Sequence, residues 1–246
     1  MRLMKGLENK IENYIRSYVI AKLHREGAEY RLLGPNDMPR LKRTLRAGDV
    51  ILIDGGQLVS EWIKVFSYHT WSHCALWIGD AAPNANIVES LMDEVVVLSD
   101  IEKYSDLNLR ICRPAGVSKE QIRRVVRYAM EHAGCAYDEH NVTQFVHFSF
   151  AGKCDPSAPI GRLDENRFTC SSLIAAAYEA AGVPIIRCYD RAKDQYVCFH
   201  PTQIQPKDFD LSLNFEVIKL PPFTIDLEKK SGFRRFVSAL LGPRAA

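Results

Sequence analysis

The sequence is short of most features that would settle a function quickly. No uncharged apolar run approaches the roughly 20 residues of a membrane-spanning helix. The opening Met1-Arg-Leu-Met-Lys-Gly-Leu-Glu carries charges and no apolar core segment, so no secretory leader is expected. Charge of one sign is also lacking. With 32 Lys and Arg against 30 Asp and Glu the net charge is +2, which gives no reason to expect nucleic acid or an acidic partner. The seven cysteines are odd in number and none stands in Cys-x-x-Cys spacing, which argues against zinc ribbons and a disulfide framework. A reducing compartment is expected, hence a cytoplasmic location. Asp54-Gly55-Gly56 is followed by no Lys-Ser or Lys-Thr, so it is no phosphate loop. Internal repeats and low-complexity stretches are absent.

What is present divides the 246 residues into three parts. Residues 1–45 read as an amphipathic helix and a linker. Leu3, Leu7, Ile11, Ile15, Val19 and Leu23 form one stripe of that helix. The stripe either packs on the domain or lies against a membrane surface or another copy. Gly34-Pro-Asn-Asp-Met-Pro39 reads as the linker. Residues 46–220 read as the main domain. Residues 221–246 form a tail with a short basic amphipathic segment, Phe233 to Leu241. Peripheral membrane contact through these two ends is the variant of a purely cytoplasmic location.

Within the main domain the strands come first. Val50-Ile-Leu-Ile-Asp54 is β-branched and bounded by Gly55-Gly56. Further strands are expected from Ser72 to Gly79, over 87–91 and 94–98, and over 108–113. A short helix is expected over 57–67. Ser118, with Gln121 three residues later, caps a helix that runs to about His132. Another helix is expected over 141–150, then a loop over 151–166. Residues 185–201 read as irregular, 205–209 as a helical turn and 214–219 as a last strand. Sheet first and helices mostly later make an α+β domain.

The stretch Arg167-Phe-Thr-Cys-Ser-Ser-Leu-Ile-Ala-Ala-Ala-Tyr-Glu-Ala-Ala-Gly182 carries the chemistry. Its alanines favour helix, and Gly182 with Pro184 ends it. Cys170 falls in the first turn, where unpaired N–H groups and the positive dipole end favour a thiolate. Cys170 is either such a thiolate or a small buried hydrophobe. A nucleophile needs a base and the base an orienting group. His73, in an apolar strand, is the best base. Glu89, in the next apolar strand, needs a partner if buried. Antiparallel pairing lets the two lie side by side, with the other ring nitrogen of His73 facing Cys170. Alternation puts Cys74 on the opposite face from His73, so Cys74 reads as core. The remaining histidines lack a matching strand carboxylate. A metal shared by His69, His73 and Cys74 is spoiled by the same alternation, so neither a metal nor a cofactor is expected.

Several of these pieces form an ordered set: Gly48-Asp49-Val-Ile-Leu, Trp71-Ser-His-Cys-Ala-Leu, Val88-Glu89-Ser90, Gly134-Cys-Ala-Tyr137-Asp138, Thr169-Cys170-Ser171-Ser172-Leu173-Ile174 and Gln205-Pro206-Lys-Asp208. Over residues 48 to 219 the chain resembles the circularly permuted branch of the NlpC-type papain-like cysteine hydrolases, the YiiX/YaeF-like group. The resemblance implies a permuted papain-like α+β fold, with a small antiparallel sheet or half-barrel against the cysteine helix. It implies Cys170 as nucleophile, His73 as acid and base, Glu89 as orienting residue and Tyr137 as a wall of the substrate pocket. The implied activity is that of a thiol hydrolase on a small-molecule, peptide or lipid substrate, opening an amide or ester through an acyl-enzyme. An acyltransferase on lipid substrates, or a non-catalytic ligand- or membrane-binding module on the same fold, is the alternative.

Overall fold

The computed structural model describes residues 36–55, 70–92, 94–141, 155–160, 166–191 and 194–218. The expected helices over 3–26 and 57–67, nearly all of that over 141–150, and the tail from 221 lie outside the described residues.

The β-branched and apolar runs form one antiparallel sheet. Its strands are β1 (Val50–Asp54), β2 (His73–Ala82), β3 (Ala85–Ser90), β4 (Val96–Ser99), β5 (Asn108–Pro114) and, added late in the chain, β10 (Phe215–Ile218). The order across the sheet is β10-β5-β1-β2-β3-β4. Alternation sorts the side chains onto two faces. Val50, Leu52, Cys74, Leu76, Ile78, Val88 and Cys112 form one apolar cluster. Ile51, Ile53, Ala75, Trp77, Ile87 and Ile111 form the other. Both faces are covered, which is why β1 is buried at every position. The chain is an α+β protein, as the order of its elements implies.

The first face receives two helices, α2 (Lys119–Glu131) and α3 (Cys170–Ala180). Ser118 and Gln121 form the expected capping box of α2. In α3 the alanines at 175 and 177 keep the helix close to the sheet, and Leu173, Ile174 and Tyr178 fill the space. The Tyr178 hydroxyl donates to the Gly48 carbonyl on the far side of the core. At Gly48 the backbone has φ +89°, which disfavours any side chain, and a Cβ would lie 2.7 Å from the tip of Ile122 of α2, which would have to move aside.

The second face carries α1 (Met38–Thr44) and a 3₁₀ turn (Ile101–Tyr104). Helix α1 starts inside the stretch that reads as a linker. Pro39 stands in its first turn, where a missing N–H costs nothing, and Asp37 accepts from the Arg40 N–H at 3.0 Å. Met38 and Leu41 then pack under the sheet, so the end of the 1–45 segment belongs to the same core. The stretch that reads as irregular after 185 holds a hairpin, β8 (Arg187–Asp190) with β9 (Gln195–Cys198), turned at a left-handed Asp194. Two-residue strands β6 (Ala136–Tyr137) and β7 (Arg167–Phe168) pair in parallel beside the start of α3. A last short helix, α4 (Pro206–Leu211), precedes β10.

Candidate active site

The site lies where β2 begins. The β1–β2 ladder runs as far as Ile53 opposite His73. The β2–β3 ladder begins only at Leu76 opposite Val88, so Cys74 and Ser90 lie beyond it. Ser90 Oγ instead donates to the Phe168 carbonyl at 2.7 Å, which holds the approach to α3 at this opening. Thr169 then caps α3: its hydroxyl accepts from the Ser172 N–H at 3.2 Å while Ser172 Oγ accepts from the Thr169 N–H at 2.8 Å. Cys170 is therefore the first helical residue, with its sulfur against the first two residues of β2.

That sulfur sits where the thiol and backbone N–H of Cys74 and the imidazole of His73 all act on its proton affinity. The Nε2 atom of His73 is 2.8 Å from Glu89 Oε2, which leaves Nδ1 for the sulfur. His73 keeps 18% of its side chain exposed, whereas Glu89 has none. The Glu89 carboxylate is held from four sides. Its Oε2 accepts from His73 and from the Tyr104 hydroxyl. Its Oε1 accepts from Ser99 Oγ and, at 2.6 Å, from Lys103 Nζ. A carboxylate has about four lone-pair positions, so this one is full.

The shared environment moves the proton affinities of Cys170, Cys74, His73, Glu89 and Tyr104. The Cys170 thiol is held well below its ordinary range by the hydrogen bond from the Cys74 thiol. The charge and hydrogen bond of His73 add to this, against burial, which favours the neutral form. The Cys74 thiol is pushed well up by burial and stays a donor. Burial works to neutralise His73, but the Cys170 thiolate and then Glu89 overcome it and raise the imidazole to about 10. Burial works to protonate Glu89, but the hydrogen bond and charge of His73, with Lys103 behind them, lower it to about 2. Burial and the neighbouring Glu89 charge push the Tyr104 phenol up, so it remains a donor. Near neutral pH the site is a row of alternating charges: thiolate, imidazolium, carboxylate, ammonium. A thiolate beside an oriented imidazolium can attack a carbonyl carbon and return a proton to the group that leaves.

The structure thus brings Cys170, His73 and Glu89 together. Tyr137 is buried and lies opposite Phe168 in the β6–β7 pair, two residues before the cysteine. His132 packs elsewhere, stacked on Tyr128 with centroids 4.1 Å apart. His200 caps a second 3₁₀ turn, and exposed His140 lies outside the network. His24, His69 and His147 fall outside the described residues. Cys74 is core, as alternation implies, yet its thiol and N–H also reach the nucleophile, because the sulfur sits at the strand's open end rather than above its middle. Ser99, the last residue of β4, is not singled out by the sequence, and Lys103 and Tyr104 escape it because a 3₁₀ turn leaves no periodic signal. The trace it does leave is Asp100 at the turn's cap, accepting from the Glu102 N–H at 2.9 Å.

Among the described residues no group of three or more His, Cys, Asp or Glu side chains is placed to hold a metal ion. Among them, too, no helix is long and apolar enough to cross a membrane. No family model matches the chain, and no curated protein does. Among solved structures the chain is similar to one described as the metalloprotein yiiX from Escherichia coli O157:H7, DUF1105. The identity is 15% and the TM-score 0.48, over 72% of this chain and 97% of that one.

Proposed function

We propose that this chain is a thiol hydrolase with a permuted papain-like arrangement, opening an amide or ester bond through an acyl-enzyme on Cys170. One observation carries the reading: the sulfur at the start of α3 shares its surroundings with an imidazole whose Nε2 is 2.8 Å from a fully buried carboxylate. A thiol that packs as core needs neither partner.

In the first step the Cys170 thiolate attacks the substrate carbonyl carbon and forms a C–S bond. The tetrahedral adduct collapses, the C–N or C–O bond breaks, and the leaving group takes the proton of His73. In the second step water attacks the thioester while neutral His73 accepts its proton. The C–S bond breaks, the acid is released, and the thiolate–imidazolium pair is restored. Glu89 holds the ring in one orientation throughout and favours its protonated form. Tyr137 is assigned to the pocket wall, on its nearness to the cysteine in the β6–β7 pair. The substrate is a peptide or amino-acyl amide, or a lipid acyl group, and water is the acceptor.

The test uses the full chain with two p-nitrophenyl esters, one of an N-blocked amino acid and one of a long-chain fatty acid. Intact mass and peptide mapping follow the adduct. The expected result is a burst of p-nitrophenol and an acyl mass on Cys170 with at least one ester, both absent in Cys170→Ala. The proposal fails if no acyl mass forms on Cys170 and this cysteine reacts with iodoacetamide no faster than the others below neutral pH.

A further inference from the structure

We propose that Lys103 is a positioning residue of this site: its ammonium, paired with the buried Glu89 carboxylate, sets the pH range over which Cys170 and His73 remain a charged pair. The inference rests on the functional reading above and names a group that tunes it.

The geometry separates Lys103 from an ordinary surface lysine. Its Nζ lies 2.6 Å from an oxygen of a carboxylate with no exposed surface, while 37% of its own side chain is exposed. The two acidic residues on the same turn do not compete for it. Asp100 and Glu102 pair instead with Lys42 of α1, at 3.1 and 2.9 Å. Among the described residues the groups that face Glu89 are His73 and Cys74 from β2, Ser99 from β4, and Lys103 and Tyr104 from the 3₁₀ turn, with Cys170 of α3 acting on His73 behind them. Of these only Lys103 is an amine. Ser99 and Tyr104 fill lone pairs without adding charge.

One carboxylate therefore answers two cations. With imidazolium alone, Glu89 and His73 would form a closed pair, and the ring would hold its proton more firmly. The second cation has two effects. It keeps the buried carboxylate ionised into acid, so the ring stays oriented there. It also loosens the hold of Glu89 on the imidazolium, which must surrender a proton to the leaving group. Removing a positive charge raises every proton affinity around it, so the signature is a displacement of the whole pH profile in one direction. A lysine that merely braced the turn would change stability and leave the profile in place.

The experiment follows iodoacetamide alkylation of Cys170 by peptide mass spectrometry from about pH 3 to about pH 11.5, alongside the thermal midpoint at neutral pH. The proteins are wild type, Lys103→Met, Lys103→Gln, Lys103→Arg and Tyr104→Phe. The expected result is an upward shift of both limbs by about one pH unit in the Met and Gln variants. The arginine variant should overlay wild type, and Tyr104→Phe should move the acid limb alone. If the Met and Gln profiles overlay wild type while the midpoint falls, Lys103 is only a brace and the inference is overturned. If wild-type Cys170 itself titrates as an ordinary thiol, the functional reading falls and this inference with it.

Discussion

Asp49 and Glu89 are both buried carboxylates of one sheet, 1% and 0% exposed, and they are satisfied in opposite ways. Asp49 grips Arg113 with both oxygens, Nε to Oδ1 at 2.8 Å and a terminal nitrogen to Oδ2 at 2.6 Å. It also accepts the Arg46 N–H at 2.8 Å, and Arg113 continues to the Thr44 carbonyl at 2.8 Å. A guanidinium keeps its proton, so this cluster is permanent. It fastens the end of α1, the turn before β1 and strand β5. Glu89 instead answers an imidazole, and behind the imidazole stands a thiol. An imidazole and a thiol can exchange a proton with each other, as a guanidinium cannot. Burial is the same in the two places. The nature of the partner separates a clamp from a site of chemistry.

The contrast can be tested from its strongest consequence downward. Cys170→Ala should abolish acyl-adduct formation, a loss of at least about 10³-fold by burst amplitude and mass. His73→Ala should slow adduct formation by roughly 10²- to 10⁴-fold, measured per molecule of folded protein. Asp49→Asn should do the reverse, costing about 3 kcal/mol in denaturant unfolding while alkylation of Cys170 in the folded protein keeps its wild-type rate. An Asp49→Asn protein that folds normally but reacts slowly would erase the distinction.

The pH dependence of stability sharpens the same comparison. Glu89 is lowered to about 2, below the ordinary carboxylate value. Its contribution is present above about pH 4.5 and is lost as pH falls towards 2, because there the unfolded chain binds the proton and the folded one does not. The thermal midpoint of wild type should therefore exceed that of Glu89→Gln near pH 5 and converge with it in stronger acid. His73, raised to about 10, works on the other side. Its contribution is complete below about pH 6.5 and is lost as pH rises through 10. The smallest effect is expected from Cys74→Ala, which removes a thiol donor but keeps the backbone one. Alkylation of Cys170 below neutral pH should slow by roughly three- to tenfold.

The strands of the sheet, the capped helix α2 and the cysteine helix are legible in the sequence because each carries an apolar pattern matched to its own period. The closeness of His73 and Glu89 follows from adjacent apolar strands and a carboxylate that cannot be buried alone. What escapes has a physical reason in each case. Pro39 breaks a helix in its middle but suits its start, so Met38–Thr44 hides within a linker pattern. The β8–β9 hairpin keeps Tyr189 and Tyr196 exposed, edge-on to each other with centroids 5.3 Å apart, and without a buried face it shows no core pattern. Lys103 and Tyr104 reach Glu89 from a single irregular turn. Cys74 lies on the face that alternation gives it, but alternation says nothing about which helix ends there. Tyr137 came forward only through the resemblance, for two residues of strand carry no pattern of their own.

The bond from Ser90 to the Phe168 carbonyl joins residues 78 apart in sequence, and the cysteine follows two positions later. During synthesis His73 and Glu89 leave the ribosome well before Cys170. Until that long loop closes, Cys170 is without the Cys74 and His73 neighbours that lower its proton affinity. Long closures are slow relative to local helix formation. The acidity of this one sulfur is therefore a property of the closed domain and not of the helix turn alone: it depends on neighbours brought in by a contact that spans 78 residues.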